Sequence, residues 1–85
     1  MYDSLLEELG NLGSIIIVRD IMDGTGYCTK MNISRVEVYD NEITILNDDN
    51  VMFSIPYGNY EVFYIEEDNE YVINCDSFVY HLTFI

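Results

Sequence analysis

The chain opens on a helical pattern and then turns to alternation for most of its length. In DSLLEELGNLG, residues 3–13, Leu5, Leu6, Leu9 and Leu12 recur at helical spacing and make one narrow apolar stripe. Asp3 or Ser4 is placed to cap this helix, and Ser4 with Glu7 has the spacing of a capping box. Glu7 and Glu8 fall early, where the helix dipole favours acids. Gly10 or Gly13 ends the element. So short a helix is unstable alone and must pack on something larger.

From Ser14 onward the period is that of strands. SIIIVRDIM, 14–22, is β-branched and mostly apolar, as a central strand is. Asp23-Gly24-Thr25-Gly26 reads as a turn. YCTKMNISRVEVYD, 27–40, holds one long or broken strand ending near Tyr39. Asp40-Asn41 turns tightly into 42–47, where Ile43 and Ile45 share a face, and 47–50 turns again. In 51–55 the alternation places Val51, Phe53 and Ile55 inward. Pro56-Tyr57-Gly58-Asn59 joins the only Pro to a Gly in a turn. Segments 60–66, 70–75 and 78–85 complete the series. Short strands joined by polar turns predict an α+β fold: a short N-terminal helix packed on an antiparallel meander sheet of five to seven strands. With 85 residues and no repeat, linker or low-complexity segment, 1–85 reads as a single domain.

Composition agrees with a folded chain. Hydrophobic residues make up 49%, which excludes a disordered acidic tail, and eight Tyr favour strands. Charge changes the picture. Sixteen acids face three bases, for a formal net charge of −13, whereas solubility of a small domain needs a magnitude of only about 2–8. The excess is uneven: residues 1–35 hold five acids and all three bases, and residues 36–85 hold eleven acids and no base. Such a chain avoids nucleic acid and anionic membranes and attracts cations or basic protein surfaces.

Candidate chemistry is sparse. The single His, His81, lies in FVYHLTF on the face opposite Phe78, Tyr80, Leu82 and Phe84, as a half-exposed structural residue does. Cys28 has no His near it in sequence, although a spatial pair remains open. Asp23-Gly24-Thr25-Gly26 lacks the length, the Lys and the following helix of a phosphate-binding loop. Neither Asp48-Asp49-Asn50 nor Glu66–Glu70 matches the calcium ligand ladder, and no CxxC or HxxxH spacing suggests zinc. No enzyme, cofactor or metal is expected. No signal peptide is visible, and the longest aliphatic run, Ile15–Val18, is far too short to span a bilayer. These features predict a cytoplasmic location, with Cys28 and Cys75 as buried free thiols; geometry decides whether they bridge.

The acids themselves carry the functional expectation. On a strand, side chains two apart lie about 6–7 Å from each other on one face. Neighbouring phosphates along one DNA strand are spaced about as far, from a rise of about 3.4 Å per nucleotide plus the helical rotation. Asp40/Glu42, Glu66/Asp68 and Asp68/Glu70 have that i, i+2 spacing, and Asp48, Asp49, Glu37, Glu61 and Asp76 extend the array across neighbouring strands and loops. Tyrosines near the acids, Tyr64 and Tyr71 among them, suit a partner's Arg. The plainer explanation is that charged turns keep a Tyr- and Ile-rich sheet from aggregating.

On the residues Asp40, Glu42, Asp48, Asp49, Glu61, Glu66, Glu67, Asp68 and Glu70, the chain resembles small acidic phage-encoded inhibitors that imitate nucleic acid. Anti-CRISPR proteins, inhibitors of uracil-DNA glycosylase and restriction-blocking proteins are examples. The likeness covers the charge distribution of 36–85. It implies a non-enzymatic inhibitor in the cytoplasm of a bacterial host. Its partner would be a basic nucleic-acid-binding protein, with a Cas effector as the candidate. The expected anchor is Glu66, Glu67, Asp68 and Glu70, with Asp48, Asp49, Asp40 and Glu42 as a second patch. The competing expectation is a small structural or assembly module that binds a protein partner, or itself as a homodimer, through its sheet or helix face.

Overall fold

The computed structural model describes residues 2–21 and 26–85. Most of the turn expected at 23–26 lies outside the described residues. The helix α1 runs Tyr2–Leu9. The strands are β1 (Ser14–Ile21), β2 (Gly26–Asn32), β3 (Arg35–Val38), β4 (Glu42–Leu46), β5 (Met52–Pro56), β6 (Glu61–Ile65), β7 (Glu70–Asn74) and β8 (Phe78–Phe84), with a 3-10 turn at Glu66–Asp68. The class is α+β, with a short N-terminal helix on antiparallel sheet, as the pattern predicts. The eight strands seen among the described residues divide into a five-stranded sheet, β2-β1-β8-β7-β6, and a three-stranded sheet, β3-β4-β5.

Alternation explains the large sheet. Ile15 and Ile17 of β1, Met31 of β2, Tyr71 and Ile73 of β7, and Tyr80, Leu82 and Phe84 of β8 all point inward. They meet Leu5 and Leu9 of α1 together with Ile43, Ile45, Phe53 and Ile55 of the small sheet. The helix and the small sheet thus cover one face of the large sheet, leaving its other face open. Arg19, also on the inner side, lies 5.6 Å from the Tyr27 ring and 5.9 Å from that of Phe53, joining the two sheets by cation–π contact.

The helix differs from its expected range. It starts at Tyr2, so Asp3 and Ser4 lie inside it rather than capping it. It stops at Leu9, Gly10 N–H donates to Leu6 O at 3.0 Å, and Leu12 sits half-exposed with a left-handed φ of 54°. The 27–40 segment is broken: Ile33 and Ser34 carry the chain from β2 in one sheet to β3 in the other, with Ile33 N–H bonded to Gly13 O and Ser34 N–H to Leu46 O. β4 is buried on both faces, at Thr44 and Leu46 as well as Ile43 and Ile45. Val51, expected inward, is exposed. The Asn47 side chain accepts bonds from Asp49 N–H and Val51 N–H, which makes Val51 the last residue of a turn instead of the first of a strand. Among the described residues no helix is long and apolar enough to cross a membrane.

Candidate functional site

The anchor expected at 66–70 sits on the β6–β7 hairpin. The two strands pair from Glu61↔Asn74 to Ile65↔Glu70. Between them Glu66, Glu67 and Asp68 form one 3-10 turn, which Asn69 closes in the left-handed conformation with its N–H to Glu66 O at 3.3 Å. Asn is among the few side chains that take this conformation readily. Two further bonds fix the turn: Tyr64 hydroxyl donates to Asn69 Oδ1 at 2.9 Å, and Phe84 N–H donates to Asn69 O at 3.0 Å. All three acids are exposed, and among the described residues none of them forms an ion pair. The strand geometry expected for them does not apply. Successive side chains on a 3-10 turn point about 120° apart, so Glu66, Glu67 and Asp68 fan outward instead of lining one face.

Glu70 is placed differently from its neighbours. On the outer face of the large sheet, His81 is laterally paired with Val18 on one side and Val72 on the other. Asp20 lies two residues beyond Val18, and Glu70 two before Val72. Both are diagonal neighbours of the imidazole, within reach of long side chains. His81 Nδ1 is 2.8 Å from Glu70 Oε2 and its Nε2 is 3.4 Å from Asp20 Oδ2. The Glu70 side chain is 17% exposed. It is held within the sheet and not extended toward a partner. Sequence separation hid this trio; only the strand order β1-β8-β7 brings it together.

Tyr64 and Tyr71 also part company. Their rings contact at 4.7 Å between centroids. Tyr64 stays 39% exposed, but Tyr71 is 5% exposed and belongs to the core. Burial, with Glu8 nearby, pushes its hydroxyl pKa up. Tyr71 is therefore a packing residue, not a surface for a partner's Arg.

The second expected patch is split. Asp40 stands before β4 and Glu42 is its first residue, whereas Asp48 and Asp49 follow it. A five-residue strand separates the pairs by about 17 Å. Asp48 and Asp49 leave through the end of the molecule where Ser34 binds Leu46 and Gly13 binds Ile33, the end from which the 66–68 turn also projects. Asp40 and Glu42 lie at the other end, where Tyr57 N–H bonds Asn41 O. Glu61 is at that end too. It lines an open cleft with Asn59, Tyr60, Asn74, Cys75 and Asp76, so Asp76 and Glu61 come together. Glu37 is engaged by Arg35 Nε at 3.3 Å and by the Tyr39 hydroxyl at 2.9 Å. That bond to Glu37 is the main reason the Tyr39 pKa is raised.

The thiols are free. Cys28 is exposed on β2, contrary to the expectation of burial, and Cys75 is half-buried. Burial, then Asp76, raises the Cys75 pKa and disfavours its thiolate. Cys28 pairs with Val18, which pairs with His81. Two strand spacings, about 10 Å, separate them, too far for thiol–imidazole hydrogen bonding. Among the described residues no group of three or more His, Cys, Asp and Glu is placed to hold a metal ion. No family model, curated protein or solved structure matches this chain.

Proposed function

We propose that this protein is a non-enzymatic inhibitor whose fixed carboxylates stand in for nucleic-acid phosphates and occupy the basic nucleic-acid-binding surface of a target protein. A bacterial CRISPR effector is the target that the resemblance names. The observation that carries the proposal is the locked turn at Glu66, Glu67 and Asp68: three exposed acids in a row, without an ion pair among the described residues, on a chain whose residues 36–85 contain no base. A turn held by three hydrogen bonds loses little entropy on binding. Its charges are available to Lys and Arg, which form their strongest hydrogen bonds with carboxylates and phosphates. Asp48 and Asp49, leaving through the same end, extend the negative surface. Asp40, Glu42 and Glu61 form a separate one at the far end. Glu70 and Tyr71 drop out of the contact set.

The test is binding to a guide-loaded nuclease or a DNA-modifying enzyme recovered from a bacterial lysate and eluted by a salt gradient. Affinity falls steeply with ionic strength, as screening requires. Changing Glu66, Glu67 and Asp68 together to Lys abolishes binding, while Glu70→Gln leaves it nearly unchanged. Salt-independent binding, or full inhibition by the triple variant, defeats the proposal. The assembly-module alternative draws support from a different feature, the exposed Phe63, Tyr64 and Ile65 of β6 at the sheet edge. It predicts salt-insensitive binding that is lost on substitution of those residues.

A further inference from the structure

β6 is an end strand of the five-stranded sheet and pairs there with β7 alone. The ladder fixes which of its backbone groups are free. Along an antiparallel strand, successive residues turn their N–H and C=O to opposite sides. Asn69 O accepts from Phe84 N–H and Cys75 N–H donates to Phe78 O, so residues 69 and 75 both face β8. By alternation Tyr71 and Ile73 also face β8, and Glu70, Val72 and Asn74 face β6. Their partners Ile65, Phe63 and Glu61 bond back to β7. Val62 and Tyr64 are left with N–H and C=O pointing away from the sheet. No turn, loop or side chain among the described residues bonds those groups. The other end strands are guarded: β2 carries Lys30, β5 ends on Pro56, and β3 is only four residues long with Arg35 and Glu37. Lys, Pro, charge and shortness are the usual means of blocking an edge. From Val62 to Ile65 β6 has none of them, and Phe63, Tyr64 and Ile65 are 49%, 39% and 40% exposed.

We infer that β6 takes up one further strand: an extended segment of a partner protein with an apolar middle and Lys or Arg at both ends. Val62 and Tyr64 supply the affinity, as donors and acceptors already held in strand geometry. Side chains supply the choice. Phe63 and Ile65 on the outer face, and Tyr64 on the inner one, meet apolar side chains of the added strand. Acids close the row at both ends. Glu66, Glu67 and Asp68 follow Ile65, and Glu61 stands at the other end with Asp76 in a cleft lined also by Asn59 and Asn74. These ends lie about 17 Å apart, the length of a five-residue strand. A basic residue at each end of the segment reaches them, and an acidic one is repelled. The same arrangement disfavours a second copy of this chain. Two β6 strands paired antiparallel about Phe63 set Glu61 of each beside the Glu66–Asp68 turn of the other, acid against acid at both ends. The added strand needs no nucleic-acid-binding partner, so it does not depend on the phosphate-mimic reading.

Amide hydrogen exchange, read residue by residue by NMR on the full chain, tests the inference. In the free protein Val62 and Tyr64 exchange fast while Phe63 between them is protected. The probe is a synthetic peptide, Lys-Lys-Val-Thr-Val-Thr-Val-Lys-Lys. At about ten times its dissociation constant it slows exchange at Val62 and Tyr64 by about tenfold. The same peptide N-methylated on its five central amides binds about tenfold more weakly or worse, because its donors are gone. A version with Glu in place of the four Lys is weakened at least as much, by repulsion at both ends. Protection of Val62 and Tyr64 in the dilute free chain overturns the inference, because the edge is then already covered. Protection that grows with protein concentration without peptide also overturns it, in favour of a second copy. So does a peptide that fails to bind, that binds without protecting these two amides, or that binds equally well when methylated.

Discussion

The hydroxyl of Tyr64 donates to Asn69 Oδ1 at 2.9 Å and so braces the acidic turn from its own hairpin. The bond adds no charge, which separates rigidity from electrostatics in a single substitution. Tyr64→Phe keeps the ring on Tyr71 and removes the bond. Its expected cost is about 0.5–1.5 kcal/mol of stability, measured by urea unfolding. If the turn acts as a preformed anchor, target affinity falls as well while its salt dependence stays that of the wild type.

His81 answers two carboxylates at once. Replacing it with Ala leaves Glu70, mostly buried, facing Asp20 with no donor between them. The expected loss is about 1–3 kcal/mol by urea unfolding. His81→Gln retains one amide donor and recovers part of it. Adding Glu70→Gln to His81→Ala relieves the unpaired carboxylate, so the double variant is more stable than His81→Ala alone.

Leu12 holds a left-handed backbone with φ of 54° and exposes half its surface. That conformation costs a non-glycine residue about 1 kcal/mol, and the side chain recovers little by burial. Leu12→Asn is expected to raise stability by up to about 1 kcal/mol, seen as a higher urea midpoint with an unchanged slope.

Alkali should find Tyr2. Its hydroxyl donates to Pro56 O at 2.8 Å, and burial, with Cys75 nearby, pushes its pKa up from 10.0 to about 12. A raised folded-state pKa contributes stability that is fully present below the unfolded value and lost as pH rises through the folded one. The window is therefore pH 10 to 12. Tyr2→Phe is less stable than wild type at neutral pH by about 1 kcal/mol, for the lost bond. The gap narrows across that window. Tyr39 and Tyr71 are shifted the same way, so wild type still weakens in alkali without Tyr2. Unfolding followed at several alkaline pH values measures the narrowing.

Local pattern carried the fold a long way. Period-two alternation at Ile15/Ile17 and at Tyr80/Leu82/Phe84 identifies the inner face because one face of that sheet is dry. It failed at Val51, where a side-chain bond from Asn47 outweighs alternation; at β4 it placed Ile43 and Ile45 together but not the burial of Thr44 and Leu46 on the other face. The acidic site was legible as composition but not as geometry. Nothing in the order Glu66-Glu67-Asp68-Asn69-Glu70 says that the first three leave the strand and the last returns to it. Nor does sequence tell that His81 lies between Asp20 and Glu70, since that depends on which strands become neighbours. The grouping of Asp48 and Asp49 with Asp40 and Glu42 counted residues where a strand's length was what mattered.

β8 is the last strand in chain order and the middle strand in space, between β1 and β7. Until it arrives, β1–β2 and β6–β7 are two separate hairpins, and isolated hairpins are at best marginally stable in water. The chain must therefore hold its unfinished sheet open until β8 emerges and then close it in one cooperative step. Folding dominated by such distant pairings is slow, in milliseconds to seconds rather than microseconds. During that interval, mutual repulsion among the acids would keep neighbouring nascent chains from joining edge to edge.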